Sequence, residues 1–332
     1  MNLTRREFIR RMAALGLSTA AAGSLFSLLS CTSRESSPMP QAVPSTLPSP
    51  SVSPSVSTPA SSAGVSHVAV AHGDSPADMV QAAVKALGGI ENFVKNGDDV
   101  IVKPNICVAY HAPEYAATTN PEVVSAVVKL CLGAGARSVR VMDFPFGGTA
   151  EEAYDRSGIA EAVKAAGGQM ETMSHLKYHE IDIPQGVDIK KWPVYGDAVD
   201  ADVLISVPIA KHHGMARLTL GMKNLMGLIQ NRNQFHSNLG QRIADLTSLL
   251  KPRLTIVDAV RILMNHGPTG GNLDDVKMTN TIIASTDIVA ADAYAATLFG
   301  LTGNDIPATR LGAQMGLGNI DMNNINLEQI NL

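Results

Sequence analysis

The sequence predicts an α/β fold for residues 65–332: a mainly parallel sheet with helices on both faces. Three observations predict it. Short apolar runs such as "DVIVKPN" and "DVLISVP" have the length and β-branched content of buried strands. Segments of helical periodicity separate them at the spacing of βαβ units. Asparagine or proline precedes several of those segments and glycine follows them, as at capped helix ends. The architecture these imply is Rossmann-like and three-layered, and 332 residues suffice for one large domain or two small ones.

Two segments precede that region. "TRREFIRR" (residues 4–11) puts paired arginines before an apolar, small-residue stretch, the layout of a twin-arginine export signal. The stretch ends in "LLSC", similar to a bacterial lipobox, in which Cys31 would be acylated. Residues 1–31 thus read as a signal with a lipobox. Residues 32–64 hold 11 serines and 7 prolines and read as a disordered, semi-rigid tether. These readings place the protein outside the cytoplasm, lipid-anchored on the envelope. The export machinery and the membrane would be its partners.

The elements then follow in order. "HVAVA" (67–71) is a strand, and "PADMVQAAVKAL" (76–87) is a helix closed by Gly88. "DDVIVKPN" (98–105) is a buried strand. Asn120 caps the next helix, with Pro121 in its first turn. "SVRVMDF" (138–144) is a strand, and residues 148–168 supply one or two helices. "DVLISVP" (202–208), "RLTIVDA" (253–259) and "KMTNTIIAST" (277–286) are strands, and a helix follows over 287–300.

Ligands of such sheets bind beyond the carboxyl ends of the strands. That rule selects Lys103, Pro104 and Asn105 after one strand, Asp143 after the next, and Pro208, Lys211 and His213 after a third. It adds Asp258 and Asp287. The stretch "PIAKHHGMARLTLGMKNLMG" (208–227) is central. Leu218, Met222, Leu225 and Ile229 recur at helical spacing and predict a helix over 215–229 with one buried face. Lys211, His212, His213, Arg217 and Lys223 accompany it, with no acidic residue from 210 to 233. A local positive field at a strand edge suits an anionic small molecule. His213 and His236 are candidate acid–base or metal groups, because imidazole titrates near neutrality. A cation there would need Asp143, Asp258, Asp287 or Asp292 as ligands. "NHGPTGGN" (265–272) reads either as a turn or as a backbone cradle over the ligand.

Composition excludes several classes. From Val65 onward there are 21 basic and 28 acidic residues, which disfavours nucleic acid as a partner. No Gly-x-Gly-x-x-Gly, phosphate loop, Gly-x-Ser-x-Gly or His-Glu-x-x-His occurs. Cys107 and Cys131 are the two cysteines after Cys31, too few to ligate an iron–sulfur cluster alone. Both read as buried small side chains, with a disulfide as the lesser alternative.

"IVKPNI", "TTNPEVVSAVVKLCLGAGARSVRVMD", "ADVLISVPIAKHHGMARLTLGMKNLMGLI", "LTIVDAV", "HGPTGGN" and "IIASTDIVAADAYAATLFGL" resemble, in order and spacing, the family called domain of unknown function 362. Some relatives carry a ferredoxin-like module, which this chain lacks. The resemblance implies a fold and a site location but no established reaction. It carries site positions onto Lys103, Pro104, Asn105, Thr119, Asn120, Pro121, Lys211, His213, Lys223 and Asn224. It also marks His236, Asp258, Gly267, Pro268, Gly270, Asp287 and Asp292. Of the adjacent histidines, His213 matches the family's one.

The order His213, Lys223, His236 is also similar to nickel-pincer lactate racemases, whose lysine carries a cofactor and whose histidines are acid–base and ligand groups. That family's aspartate–threonine–arginine–proline motif is not present.

The expectation is a membrane-tethered α/β protein that binds an anionic small molecule or cofactor. His213, Lys223, His236 and Asp258 would do any chemistry, and a redox role follows from the family's company alone. The alternative is a non-catalytic solute-binding or scaffold lipoprotein of a membrane redox complex.

Overall fold

The apolar runs become the strands of one sheet in a computed structural model that describes residues 65–332. Residues 1–64, which the sequence reads as an export signal, a lipobox at Cys31 and a tether, lie outside the described residues. The strands are β1 (Ser66–His72), β2 (Asp99–Pro104), β3 (Ser138–Val141), β4 (Gln169–Met170), β5 (Tyr178–Asp182) and β6 (Lys191–Tyr195). They continue with β7 (Val203–Val207), β8 (Ile209–His213), β9 (Arg217–Thr219), β10 (Leu254–Leu263), β11 (Val276–Ser285) and β12 (Ile325–Asn331). The helices are α1 (Pro76–Ala86), α2 (Pro121–Gly133), α3 (Ala150–Arg156), α4 (Ile159–Ala165), α5 (Gly196–Asp200) and α6 (Gly221–Asn224). After them come α7 (Arg232–Phe235), α8 (Leu239–Leu250), α9 (Ile288–Thr297) and α10 (Pro307–Gln314).

The main sheet runs β12-β1-β11-β10-β7-β2-β3-β4, with β8 beside β10 and β9 beside β8. The pairs from β10 through β7, β2 and β3 to β4 are parallel, as is β1 with β12. Only β11 and β9 run against their neighbours in this sheet. The mainly parallel sheet expected from the sequence is therefore present. β5 and β6 form a separate antiparallel hairpin.

Period-two alternation builds the layers. Val100 and Val102 of β2 enter one core with α1, α2, α3 and α4, while Ile101 enters the other with α8. Val68 and Val70 of β1 likewise meet α9 on the second side, while Ala69 and Ala71 join the first. Local signals set the helix starts. The Asn120 side chain accepts from Glu122 N at α2, and Ser75 caps α1 ahead of Pro76.

Two expectations need correction. The helix over 215–229 does not form. The chain makes β9, the one-turn α6 and a 3-10 turn over Leu225–Leu228. Its apolar set is buried as its spacing implied, but residues 217–219 pair with β8 instead, and two close approaches fix the segment after them. The Asp292 carboxylate accepts from Gly221 N at 2.7 Å and Met222 N at 3.0 Å, and a Cβ at 221 would lie 2.8 Å from that carboxylate. At Gly227 a Cβ would lie 1.9 Å from Asp143 Oδ1. Asp287 is the second correction. Because β11 is antiparallel to β10, with Ser285 opposite Thr255, its carboxyl end lies at the amino edge of β10. Asp287 there caps α9 and accepts from Ser66 Oγ and Asn319 N.

Candidate functional site

The parallel strands deliver their carboxyl ends to a cleft of about 930 Å3. β2 brings Lys103 and, just past its end, Asn105, and the segment after β3 brings Asp143 and Phe144. β8 brings Lys211 and His213, α6 brings Lys223 and Asn224, and residues 231–236 bring Arg232 and His236. Cys107 and Pro268 complete the wall beside Lys211. Asp143 is the one acidic residue in this lining.

The three lysines differ sharply in what they hold. Lys103 is fully buried, and its ammonium contacts Asp143 Oδ1 at 2.9 Å, Pro104 O at 2.7 Å and Asn224 Oδ1 at 3.0 Å. All three of its hydrogens are taken. Lys211, also fully buried, donates to Ala117 O at 2.5 Å, Pro268 O at 2.8 Å and Cys107 Sγ at 3.1 Å. These two lysines hold the walls of the cleft that they line, with their hydrogens given to the protein. Lys223 is half-buried and has no hydrogen-bond or ion-pair partner among the described residues. Burial, and after it the charge of Lys211, push its pKa down to about 8.

The two histidines make opposite backbone contacts at Nδ1. His213 Nδ1 accepts from Met215 N and Ala216 N, both at 3.2 Å. Its proton therefore sits on Nε2, which can only donate. Burial first, then Lys223 and Lys211, push its pKa down to about 3. His236 Nδ1 donates to Arg232 O at 2.5 Å, which leaves Nε2 with a free lone pair.

A pH dependence follows from His213. The folded ring refuses a proton that the unfolded chain takes up at about pH 6.5. Its contribution to stability is present above that pH and is lost as pH falls toward about 3. Imidazole nitrogen NMR will show an Nε2–H ring at His213 that does not titrate across about pH 5–8, where a free imidazole does. A midpoint near neutrality would refute the assignment.

Other predicted positions serve the scaffold. Asp258 does not close its strand. Pairing with β8 and β11 carries β10 on to Leu263, and the buried carboxylate accepts from Asn120 N at 2.7 Å and Val260 N at 3.0 Å. It lies outside the cleft lining, so its assignment as a catalytic group is corrected. Thr119 Oγ1 accepts from Asn105 N and donates to Val207 O. Asn120 is a helix cap. Asn224 crosslinks Lys103, Asn105 and Ser206 beneath the cleft floor.

In the loop 265–272 two amides are already engaged within the protein. Gly267 N donates to His212 Nδ1 and Gly270 N to His266 O. At Gly267 a Cβ would lie 1.8 Å from His212 O, so glycine lets the loop lie on β8. Gly270 holds a φ of +64°. His212 is occupied in this packing, and His213 alone of the pair faces the cleft.

Cys107 and Cys131 are unpaired, and burial raises the Cys131 pKa to about 12. Among the described residues no group of three histidine, cysteine or acidic side chains is placed to hold a metal ion.

Sequence reasoning missed Arg232. Its Nη1 donates to Phe144 O at 2.9 Å and its guanidinium lies 4.6 Å from the Phe144 ring centre. The signal was present in the acid-free stretch from 210 to 233, which includes this arginine. Asn105 Oδ1 was also invisible from sequence. It is a buried acceptor with no partner.

The family model described as "Domain of unknown function (DUF362)" matches residues 100–297. The chain belongs to the DUF362 family. A thylakoid-associated protein of Synechocystis sp. is 28% identical over 251 residues, covering 70% of this chain and 73% of that protein. Two solved structures are similar to this DUF362 chain. One is the lactate racemase apoprotein of Thermoanaerobacterium thermosaccharolyticum, with TM-score 0.46, 12% identity and coverage of 68% of this chain and 55% of that one. The other is a Thermotoga maritima protein, with TM-score 0.40, 12% identity and coverage of 73% and 60%. The DUF362 chain thus spans little more than half the length of the structures it matches.

Proposed function

We propose that the cleft binds an anionic small molecule and supports proton transfer on it. One observation carries this reading: Lys223 brings an ammonium with no protein partner to a cleft already lined by Arg232 and two wall lysines. Counting Lys103, Lys211, Lys223 and Arg232 against Asp143, the lining is cationic with both histidines neutral. A half-buried cation without a counter-charge is costly in the free protein, and an anion offsets that cost when it binds. Arg232 offers its remaining donors to the same cleft. His213 Nε2–H is a fixed donor, and His236, whose Nδ1–H is held by Arg232 O, keeps its Nε2 for proton exchange, which suits a ligand that gains or loses a proton.

The place of action is proposed from the N-terminal sequence. The twin-arginine pattern and the lipobox support export and anchoring through Cys31. The name of the thylakoid-associated relative agrees with a membrane location.

One series of measurements tests both parts. The full chain is expected in the membrane fraction, and a Cys31→Ala variant is expected to leave it. Detergent-solubilised protein is then titrated with phosphate, oxalate and pyruvate and followed by thermal melting. At least one anion is expected to raise the melting temperature, by less at high salt. If none does, and native mass spectrometry finds no co-purifying anion, the binding proposal fails.

A further inference from the structure

Lys223 differs from the other cleft lysines in more than its missing partner. Lys103 and Lys211 each have three acceptors that hold the ammonium form in place. Lys223 has none, and like charges from Lys211, Arg232 and Lys103 face it. Such surroundings attract an anion, and they equally suit a lysine that acts as an amine. Burial and neighbouring cations release the proton that otherwise blocks the nitrogen lone pair. The shift to about pH 8 agrees with that arrangement.

The groups beside it fit the same chemistry. His213 Nε2–H is a donor that stays neutral, suited to the oxygen of a polarised carbonyl. His236 Nε2 is an acceptor, suited to moving a proton between nitrogen and oxygen.

We propose that Lys223 is a nucleophilic amine that condenses with the carbonyl group of a small oxo acid to form an imine in the cleft. This rests on the anion-binding reading, because the acid's carboxylate is the group that Arg232 and the cationic walls attract.

In the addition step the Nζ lone pair forms a bond to the carbonyl carbon, and the C=O π pair moves to oxygen under the His213 Nε2–H. His236 Nε2 takes a proton from nitrogen. His236 returns that proton to the oxygen, giving the alcohol, and a second proton from solvent turns the hydroxyl into a leaving water. The nitrogen lone pair closes the C=N bond as water departs, and the protonated imine returns one proton to solvent. The sum is amine plus ketone giving imine plus water. No oxidant or reductant takes part.

The test is reductive trapping on the full-length chain. Protein is incubated with pyruvate and sodium cyanoborohydride, and its tryptic peptides are mapped by mass spectrometry. The expected result is one reduced pyruvyl adduct, located on Lys223 and suppressed by excess oxalate, an anion that does not condense under these conditions. Lys223→Arg, which keeps a cation but no nucleophilic amine, is expected to lose the adduct.

Wild-type mapping decides the matter even if the variant folds poorly. Absence of an adduct, or labelling of Lys223 no greater than that of exposed Lys129, overturns the imine. If oxalate still stabilises the wild type in that case, the anion site stands without the imine. If oxalate also fails, both readings fall.

Discussion

Replacing Asp143 with alanine is expected to destabilise the fold by about 3–5 kcal/mol, the scale for breaking one side of a buried ion pair. Lys103 is fully buried and its ammonium lies 2.9 Å from Asp143 Oδ1. Without the carboxylate that charge keeps only Pro104 O and Asn224 Oδ1. The variant also strands Ile106 N, which donates to Asp143 Oδ2 at 2.5 Å, and Phe144 N, which donates to Oδ1 at 2.7 Å. Because those amides shape the turns after β2 and β3, the cleft floor loosens along with the pair. Urea denaturation of the variant measures the loss. The double variant Asp143→Leu, Lys103→Met removes both charges and is expected to recover much of it. A single variant within about 1 kcal/mol of wild type would show that the pair contributes little to the fold.

Lys223→Met is expected to move stability and binding in opposite directions. Methionine keeps an unbranched, flexible side chain and removes a cation that faces Lys211, Arg232 and Lys103. The variant gains on the order of 0.5–2 kcal/mol, as is common when a destabilised functional group is removed. Anion affinity falls on the order of a hundredfold, the effect of losing about 2–3 kcal/mol from a desolvated charge contact. Calorimetric titration with the anion that best stabilises wild type, beside a denaturation curve, reads both. A variant that loses stability and keeps its affinity would place Lys223 in the scaffold with Lys103 and Lys211.

The contrast among the three lysines shows how far the sequence could be read. All three follow or flank apolar strands in an acid-poor neighbourhood, and all three line the cleft. Nothing in their local sequence separates them. Their difference lies in partners 94 and 104 residues away for Lys211 and 121 residues away for Lys103. The histidines repeat the point. His213 and His236 are the same residue type, but two backbone amides meet Nδ1 of the first and one backbone carbonyl meets Nδ1 of the second. Arg232 was in view within the acid-free stretch but carried no strand-end signal. It reaches the cleft by stacking on Phe144.

Strand direction is another boundary. "KMTNTIIAST" reads correctly as a strand, but its composition does not say which way it runs. The antiparallel entry of β11 between β1 and β10 put Asp287 at the wrong edge for the cleft.

What the sequence by itself determined is the layering and the neighbourhood. Apolar runs, helix caps and the 2.0 and 3.6 periods are local properties, and they specify strands, helices and the strand edge where polar residues gather. What only the tertiary structure decided is the state of each polar group there. Burial, charge and hydrogen bonding act through space, so whether a lysine holds a wall or waits for a ligand depends on atoms far away in the chain. By that measure Lys103 and Lys211 hold the walls, and Lys223 alone among them has an ammonium without a partner among the described residues.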